Sequence, residues 1–187
     1  MSELLKATRA EHLARSFGYL TVNEVGLLAK YAQLAPENAT VVNIGAGVGT
    51  TAMAVADVRP DLLPTLYTID NTLMATGHGL VNEQNAFLEH GFPAYPVQIL
   101  ADAHEARVKH WADNKPIDLL LVDDGHLEHE ITRDITDWVP LVKKGGIILF
   151  HDYGKDVWKD VKLVVDKMMT AHKQLEVVDY LAAYEKQ

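Results

Sequence analysis

The sequence predicts an α/β fold, a mostly parallel sheet flanked by helices. Three features carry that expectation. Short apolar runs at 41–44, 65–69, 97–100, 117–122 and 146–150 alternate with stretches of helical spacing. The first run breaks directly into a glycine-rich turn, IGAGVGTT. Each run ends at an acid or at that turn, and ligands of open α/β sheets gather at the carboxyl ends of the strands. Alternating strands and helices imply parallel pairing through right-handed crossovers.

The chain begins with helices. Residues 4–15 carry apolar side chains among charges at helical spacing, and Ser16 to Leu20 breaks that helix at Gly18. Thr21 and Glu24 form a capping box for a second helix. Val25, Leu27, Leu28, Tyr31 and Leu34 give it an apolar face, and Pro36 ends it. This prelude is read either as a lid over a ligand cleft or as the cover of a sheet edge, the cover being the default. The strand at 41–44 leads through the glycines to an alanine-rich helix at 52–58, and Pro60 and Pro64 bracket a loop. A strand over 65–69 ends at Asp70, and a helix over 80–90 stops at Gly91. A third strand at 97–100 ends near Asp102, which opens a helix over 102–111. IDLLLV, 117–122, is the most apolar run and reads as a central strand buried on both faces. Helical spacing over 127–138 closes at Pro140 and Gly145-Gly146, and GIILF is the fifth strand. The last helix, 157–169, should turn Val157, Val161, Val164, Val165 and Met168 inward. Two short strands, 175–178 and 181–184, form a hairpin at Asp179-Tyr180.

The 187 residues suit one domain, with a helical cover over 1–36 and a sheet core over 37–187. A net charge of −9 disfavours a nucleic-acid partner held by phosphate neutralisation. Without cysteine there are no disulfides and no thiolate metal sites. The charged N-terminus has no apolar signal core, and no window is apolar enough to span a bilayer, so the expected setting is cytoplasmic. Trp111 and Trp158 are expected in the core, although either one on an exposed helix face would suggest a partner.

The glycine turn is a binding device. Gly45, Gly47 and Gly49 permit torsions that other residues resist and let a ligand approach the backbone. The following helix start offers free N–H donors. The other strand ends bring Asp70-Asn71, Asp102-Ala103, Asp123-Asp124-Gly125-His126 and His151-Asp152-Tyr153 to the same edge. Each has a plain structural reading too. Asp70 suits a turn as well as a pair of ribose hydroxyls. Asp102 suits an N-cap, with Glu105 completing the box, as well as an adenine amino group. His126 suits a solvated or capping position, and Glu128, His129 and Glu130 suit a solvated helix face.

The spacing G-x-G-x-G resembles motif I of the class I S-adenosylmethionine-dependent methyltransferases, with Asn43 where that family usually has an acid two residues before the first glycine. The run IDLLLVDDGHLEHEITRDITDWVPLVKKGGIILFHDY is similar to the subfamily related to cephalosporin hydroxylase and the macrolide O-methyltransferases. Its turn reads Asp123-Asp124-Gly125-His126 where the subfamily commonly has Asp-Gly-Asp-His. The resemblance implies a Rossmann-like methyltransferase fold with a C-terminal antiparallel strand. It implies S-adenosylmethionine at Asn43, Gly45, Ala46, Gly47, Gly49, Asp70, Asn71, Asp102, Ala103 and Asp123, and methyl transfer to a hydroxyl of a small molecule. From the related metal-dependent enzymes it implies magnesium on Asp123 and Asp152, with Tyr153 where a third ligand usually stands. His126 and Asp152 are the expected catalytic residues, His126 as the base. The Asn/Asp-Pro-Pro-aromatic motif of amino-methylating branches is absent. Two other readings stay open: a non-catalytic module that binds the donor or its product, and a nicotinamide-dependent oxidoreductase. Oligomerisation stays open as well.

Overall fold

The computed structural model describes residues 8–73, 78–111 and 115–187. The expected helix start at residue 4 lies outside the described residues, as do positions 74–77 of the loop before Leu80. Seven strands form one sheet in the order β3-β2-β1-β4-β5-β7-β6. They are β1 Val41–Ile44, β2 Leu66–Asp70, β3 Val97–Leu100, β4 Ile117–Val122, β5 Val142–Phe150, β6 Lys173–Val178 and β7 Leu181–Glu185. The first five pair in parallel. β7 runs antiparallel to β5 and carries β6 outside it. This is the Rossmann-like methyltransferase architecture expected from the sequence. No helix of the described residues is long and apolar enough to cross a membrane.

β4 shows why its sequence is uniformly apolar. Leu119 and Leu121 face one core, and Leu120 and Val122 face the other. The first core lies under α1 (Thr8–Phe17), α2 (Val22–Leu34), α3 (Thr50–Val58) and α4 (Leu80–Glu89). The second lies under α5 (Ala103–Glu105), α6 (Glu128–Trp138) and α7 (Lys159–Met168), with Trp111 and Trp138 packed edge to face.

The capping box is present as expected. Thr21 accepts from the Glu24 amide at 3.1 Å, and Glu24 reaches back to the Thr21 amide at 2.6 Å. Other expectations are corrected. α1 and α2 chiefly cover a face of the sheet and the helix α3, and α2 reaches only the edge strand β6, through Lys30 and Tyr31 on Glu176; the other edge strand, β3, keeps Val97 and Leu100 exposed. β5 begins at Val142, because Gly145 at φ +78° makes a bulge within the strand rather than a stop before it. After α5 the backbone widens into a π turn, Ala106–His110, closed by the Trp111 amide on the Ala106 carbonyl. Val157 is exposed rather than inward, because Asp156–Trp158 forms a separate 3-10 turn ahead of α7. Trp158 is 39% exposed, so it is not a core residue.

The chain runs from β1 outward to β2 and β3, then returns to place β4 on the other side of β1. Connections therefore diverge at the carboxyl ends of β1 and β4, which opens a crevice there. Gly45 holds the two strands together at its floor. A Cβ at Gly45 would lie 2.0 Å from the Asp123 carbonyl oxygen, at a φ of +93°. Gly47, at φ +53°, would meet nothing within 4 Å. Gly45→Ala should therefore cost ~3 kcal/mol or more from overlap plus strain, while Gly47→Ala costs about 1 kcal/mol from strain alone. Urea unfolding of the two variants against the parent chain measures both, and equal losses would contradict this account of the floor.

Candidate active site

One cavity of about 440 Å³ opens over this crevice. Gly45, Gly47, Asp70, Asp123, His126 and Asp152 line it, together with Tyr19, Thr72, His78, Asp124, His151, Lys155 and Trp158. The expected catalytic pair and part of the expected cofactor set thus share one space. The remaining expected residues lie around it. Asn43 is fully buried, and its amide donates to the Gly45 carbonyl at 2.8 Å, bracing the turn. Ala46 is buried and presents its N–H to Asp70. Gly49 packs against the backbone of Glu83 on α4. Asn71 is exposed, and its side chain accepts from the Thr72 hydroxyl. Asp102 caps α5 by accepting from the Glu105 amide at 2.8 Å, and Ala103 behind it is buried.

On the β1–β2 side, Asp70 accepts from the Ala46 amide at 2.8 Å and the Thr72 amide at 2.7 Å, one on each oxygen. Each carboxylate oxygen keeps acceptor capacity for a ligand. The Gly79 amide donates to the Gly47 carbonyl, so the start of α4 is tied to the glycine turn. Among the described residues, Asn43 Oδ1 and Thr50 Oγ1 are buried oxygens without a hydrogen-bond partner, and both flank that turn. Open space at Gly47, spare acceptors on Asp70 and orphan polar atoms beside the turn fit a polar cofactor such as S-adenosylmethionine.

On the β4–β5 side, His126 Nε2 lies 2.7 Å from Asp152 Oδ2, and Lys155 Nζ donates to Oδ1 of the same carboxylate at 2.9 Å. Asp152 has the left-handed φ of +56°, which Asp tolerates better than most residues. Burial would raise its carboxyl, but the His126 hydrogen bond, the His151 charge and Lys155 outweigh burial and hold it down at about 2. Glu130 fixes the turn from below, accepting from the His126 and Leu127 amides at 3.1 and 3.0 Å. It is therefore a turn brace as well as a surface charge.

His151 was legible only as one polar residue at a strand end. Its Nδ1 sits 2.8 Å from Asp123 Oδ1, and its Nε2 sits 3.6 Å from Glu24 Oε2, deep under α2. Burial works to lower its pKa. The Asp123 charge, hydrogen bonds to Asp123 and Glu24, and the nearby Asp152 overcome burial and lift it to about 10. Asp124, beside Asp123 in the chain, has its carboxyl pushed up to about 6 by desolvation at the cleft and by the charges of Asp70, Glu130 and Asp123. Tyr19 and Lys155 carried no sequence signal, and Trp158 was expected in the core, because only the packing of separate segments brings the three here.

Asp123, His126 and Asp152 place three ligand atoms within 4.8 Å of one another. Tyr153 is not a third ligand; its hydroxyl donates to Asp166 at 2.5 Å, away from the acids. The set nonetheless does not fit a resident divalent ion. His151 and Lys155 already pair with the two carboxylates, and the third candidate ligand atom, His126 Nε2, is turned onto Asp152 rather than to an open position. A dication would sit beside an imidazolium and an ammonium that already pair with these carboxylates, and their repulsion weighs against it.

Comparisons with known proteins agree with this fold. A family model described as a methyltransferase domain matches residues 42–153, more than half of the chain. The chain belongs to this methyltransferase-domain family. A Staphylococcus aureus structure, provisionally designated a caffeoyl-CoA O-methyltransferase, superposes with a TM-score of 0.69 at 18% identity, covering 98% of this chain and 93% of that one. The O-methyltransferase NovP gives 0.69 at 13% identity, covering 89% and 80%. An rRNA methylase from Streptococcus thermophilus gives 0.59 at 15% identity, covering 84% and 92%. At these identities the likeness is one of fold. A Sinorhizobium fredii protein, y4gI, of uncharacterised role, is 33% identical in a 52-residue alignment that covers 25% of this chain and only 6% of that protein.

The raised pKa of His151 makes its charge a pH-dependent support. A group lifted from 6.5 to about 10 contributes fully below 6.5, and its contribution is lost as pH rises through about 10. Urea midpoints of the parent chain should fall across that window, and His151→Gln should show a flatter fall from a lower start. Parallel pH profiles for the two proteins would refute the ion pairing of His151.

Proposed function

We propose that this chain transfers a methyl group from S-adenosylmethionine to a hydroxyl of a small molecule. One observation carries the reading: the open backbone at Gly47 and the Asp70 carboxylate share a single cavity with the His126–Asp152 pair. Gly47 and Asp70 would hold the donor, Asp70 accepting from ribose hydroxyls with the capacity left beside its two amide bonds. When bound, the sulfonium supplies an activated methyl group, so the chain's work is alignment and removal of one proton.

Asp152 serves that second task. Its bond at Nε2 favours the His126 tautomer with the proton on Nε2, leaving the Nδ1 lone pair to accept the acceptor's hydroxyl proton. The in-built cations His151 and Lys155 keep Asp152 ionised for this role. The acidic chain and a cavity of about 440 Å³ support a small acceptor over a nucleic acid.

Calorimetric titration with S-adenosylhomocysteine tests the donor site, with NAD as control. Binding of the first alone is expected, and Asp70→Asn should weaken it about tenfold or more through loss of a charge-assisted hydrogen bond. His126→Ala should leave that affinity in place while lowering turnover roughly a hundredfold or more. Binding of NAD but not of S-adenosylhomocysteine would overturn the proposal.

A further inference from the structure

Four rings, Tyr19, His78, His126 and Trp158, line the cavity beside the carboxylates of Asp123, Asp124 and Asp152, and the Lys155 ammonium stands among them. The His126 and Trp158 rings stack, with centroids 4.2 Å apart and planes 25° from parallel. Tyr19 and His78 form a second aromatic pair, centroids 4.6 Å apart, from the glycine-turn side. Lys155 Nζ lies 5.8 Å over the Tyr180 ring while bonded to Asp152. Leu127 and Val157, the chain neighbours of His126 and Trp158, are exposed. Of the three tryptophans, Trp111 and Trp138 are buried in the core, and only Trp158 is presented to the cleft. The indole of Trp158 is partly exposed and stacked face to face on the proposed base, so it presents a flat apolar surface at the cleft.

We infer that the acceptor is a phenol, a planar aromatic hydroxyl compound stacked on the Trp158–His126 wall with its oxygen between His126 and Lys155. This rests on the methyltransferase reading above and narrows its substrate class. Flat π surfaces match a flat ring. His126 and Lys155 are held on the two oxygens of one carboxylate, so a proton acceptor and a cation stand side by side. That pairing suits a hydroxyl that ionises. A phenol loses its proton near pH 10, whereas an aliphatic hydroxyl resembles water at about 15.7. In the step, the phenol O–H bond breaks and its proton passes to His126 Nδ1. The phenolate oxygen, facing Lys155, forms the O–CH3 bond with its lone pair as the S–CH3 bond breaks. That bonding pair stays on sulfur, giving the neutral thioether, and His126 releases the proton to solvent.

The test uses the whole chain with S-adenosylmethionine and two acceptor arms in buffer with EDTA: catechol and 4-hydroxycinnamate as phenols, methyl glucoside and glycerol as alcohols. Methyl ethers are read by mass spectrometry, and S-adenosylhomocysteine affinity by calorimetry. Methylation of phenols alone is expected, with quenching of Trp158 fluorescence by the phenols. Trp158→Ala should raise KM for the phenol about tenfold with little change in kcat, and Trp158→Phe should restore it. Lys155→Met should lower kcat about tenfold or more, with Lys155→Arg partly restoring it. Both sets should bind S-adenosylhomocysteine as the parent does, which separates these effects from misfolding. A chain that binds S-adenosylhomocysteine but methylates only alcohols, or none of the four, overturns the phenol inference alone. So does an unchanged KM in Trp158→Ala. A chain that does not bind S-adenosylhomocysteine overturns the methyltransferase reading and this inference with it.

Discussion

The close approach of β1 and β4 at Gly45 sets the geometry of the whole cleft. A side chain there would lie on the Asp123 carbonyl. With only hydrogen at that position, the two strands stay in register to their last residues, and the Asp123 amide still reaches the Ile44 carbonyl at 2.9 Å. The Gly45 amide in turn pairs with Ile69 of β2 at 2.8 Å. The crevice therefore opens above a closed floor. Asp70, the glycine turn and Asp123 are presented at fixed heights along one edge. Displacing β4 outward would move His126 and the acids of the β4 turn together, because they follow it directly in the chain.

The molecule buries carboxyl groups in two different ways, and the contrast explains where its charge resides. Glu83 lies wholly buried against Gly49, and its partners are neutral donors, the Thr68 hydroxyl and the Gln98 amide, each at 2.9 Å. Burial dominates there, the two hydrogen bonds oppose it incompletely, and the carboxyl is pushed up to about 7. Asp152 is nearly as buried by surface area but is met by His126, His151 and Lys155, and it is held at about 2. Removing an ion from water costs several kcal/mol, which neutral donors offset only in part and adjacent cations can offset in full. The lasting negative charge is accordingly placed at the cleft and not behind the glycine turn.

The same ion network joins the N-terminal helices to the chemistry. Glu24 caps α2, approaches His151, and accepts from the Tyr180 amide at 2.8 Å. Asp179 in the terminal hairpin accepts from Thr21 and Asn23, and the Tyr153 amide donates to the Tyr180 carbonyl. The helical cover, the exit of β5 and the β6–β7 turn are thus fastened at one point beneath His151. Tyr19, in the short connection between α1 and α2, reaches the cavity from the same cover. The N-terminal segment supplies both a wall of the cleft, through Tyr19, and a support for its charges, through Glu24.

Local rules account for the features that could be read along the chain. Apolar runs bounded by glycine, proline and acids set the strands, and the Thr21–Glu24 box set the start of α2. The glycine spacing set the binding turn, and the terminal hairpin turned where Asp179 adopts a positive φ. Each depends on neighbours a few residues apart. The position of Asp70, His126 and Asp152 at the strand ends was legible for the same reason, since topology sends all those ends to one edge. Only tertiary packing determined what those residues touch. His151 became a buried cation because Glu24, 127 positions earlier in the chain numbering, folds over it. Lys155 reached the Asp152 carboxylate, and Trp158 left the core to stack on His126. Burial, charge balance and ring contact are properties of neighbours in space, and no spacing along one chain encodes them.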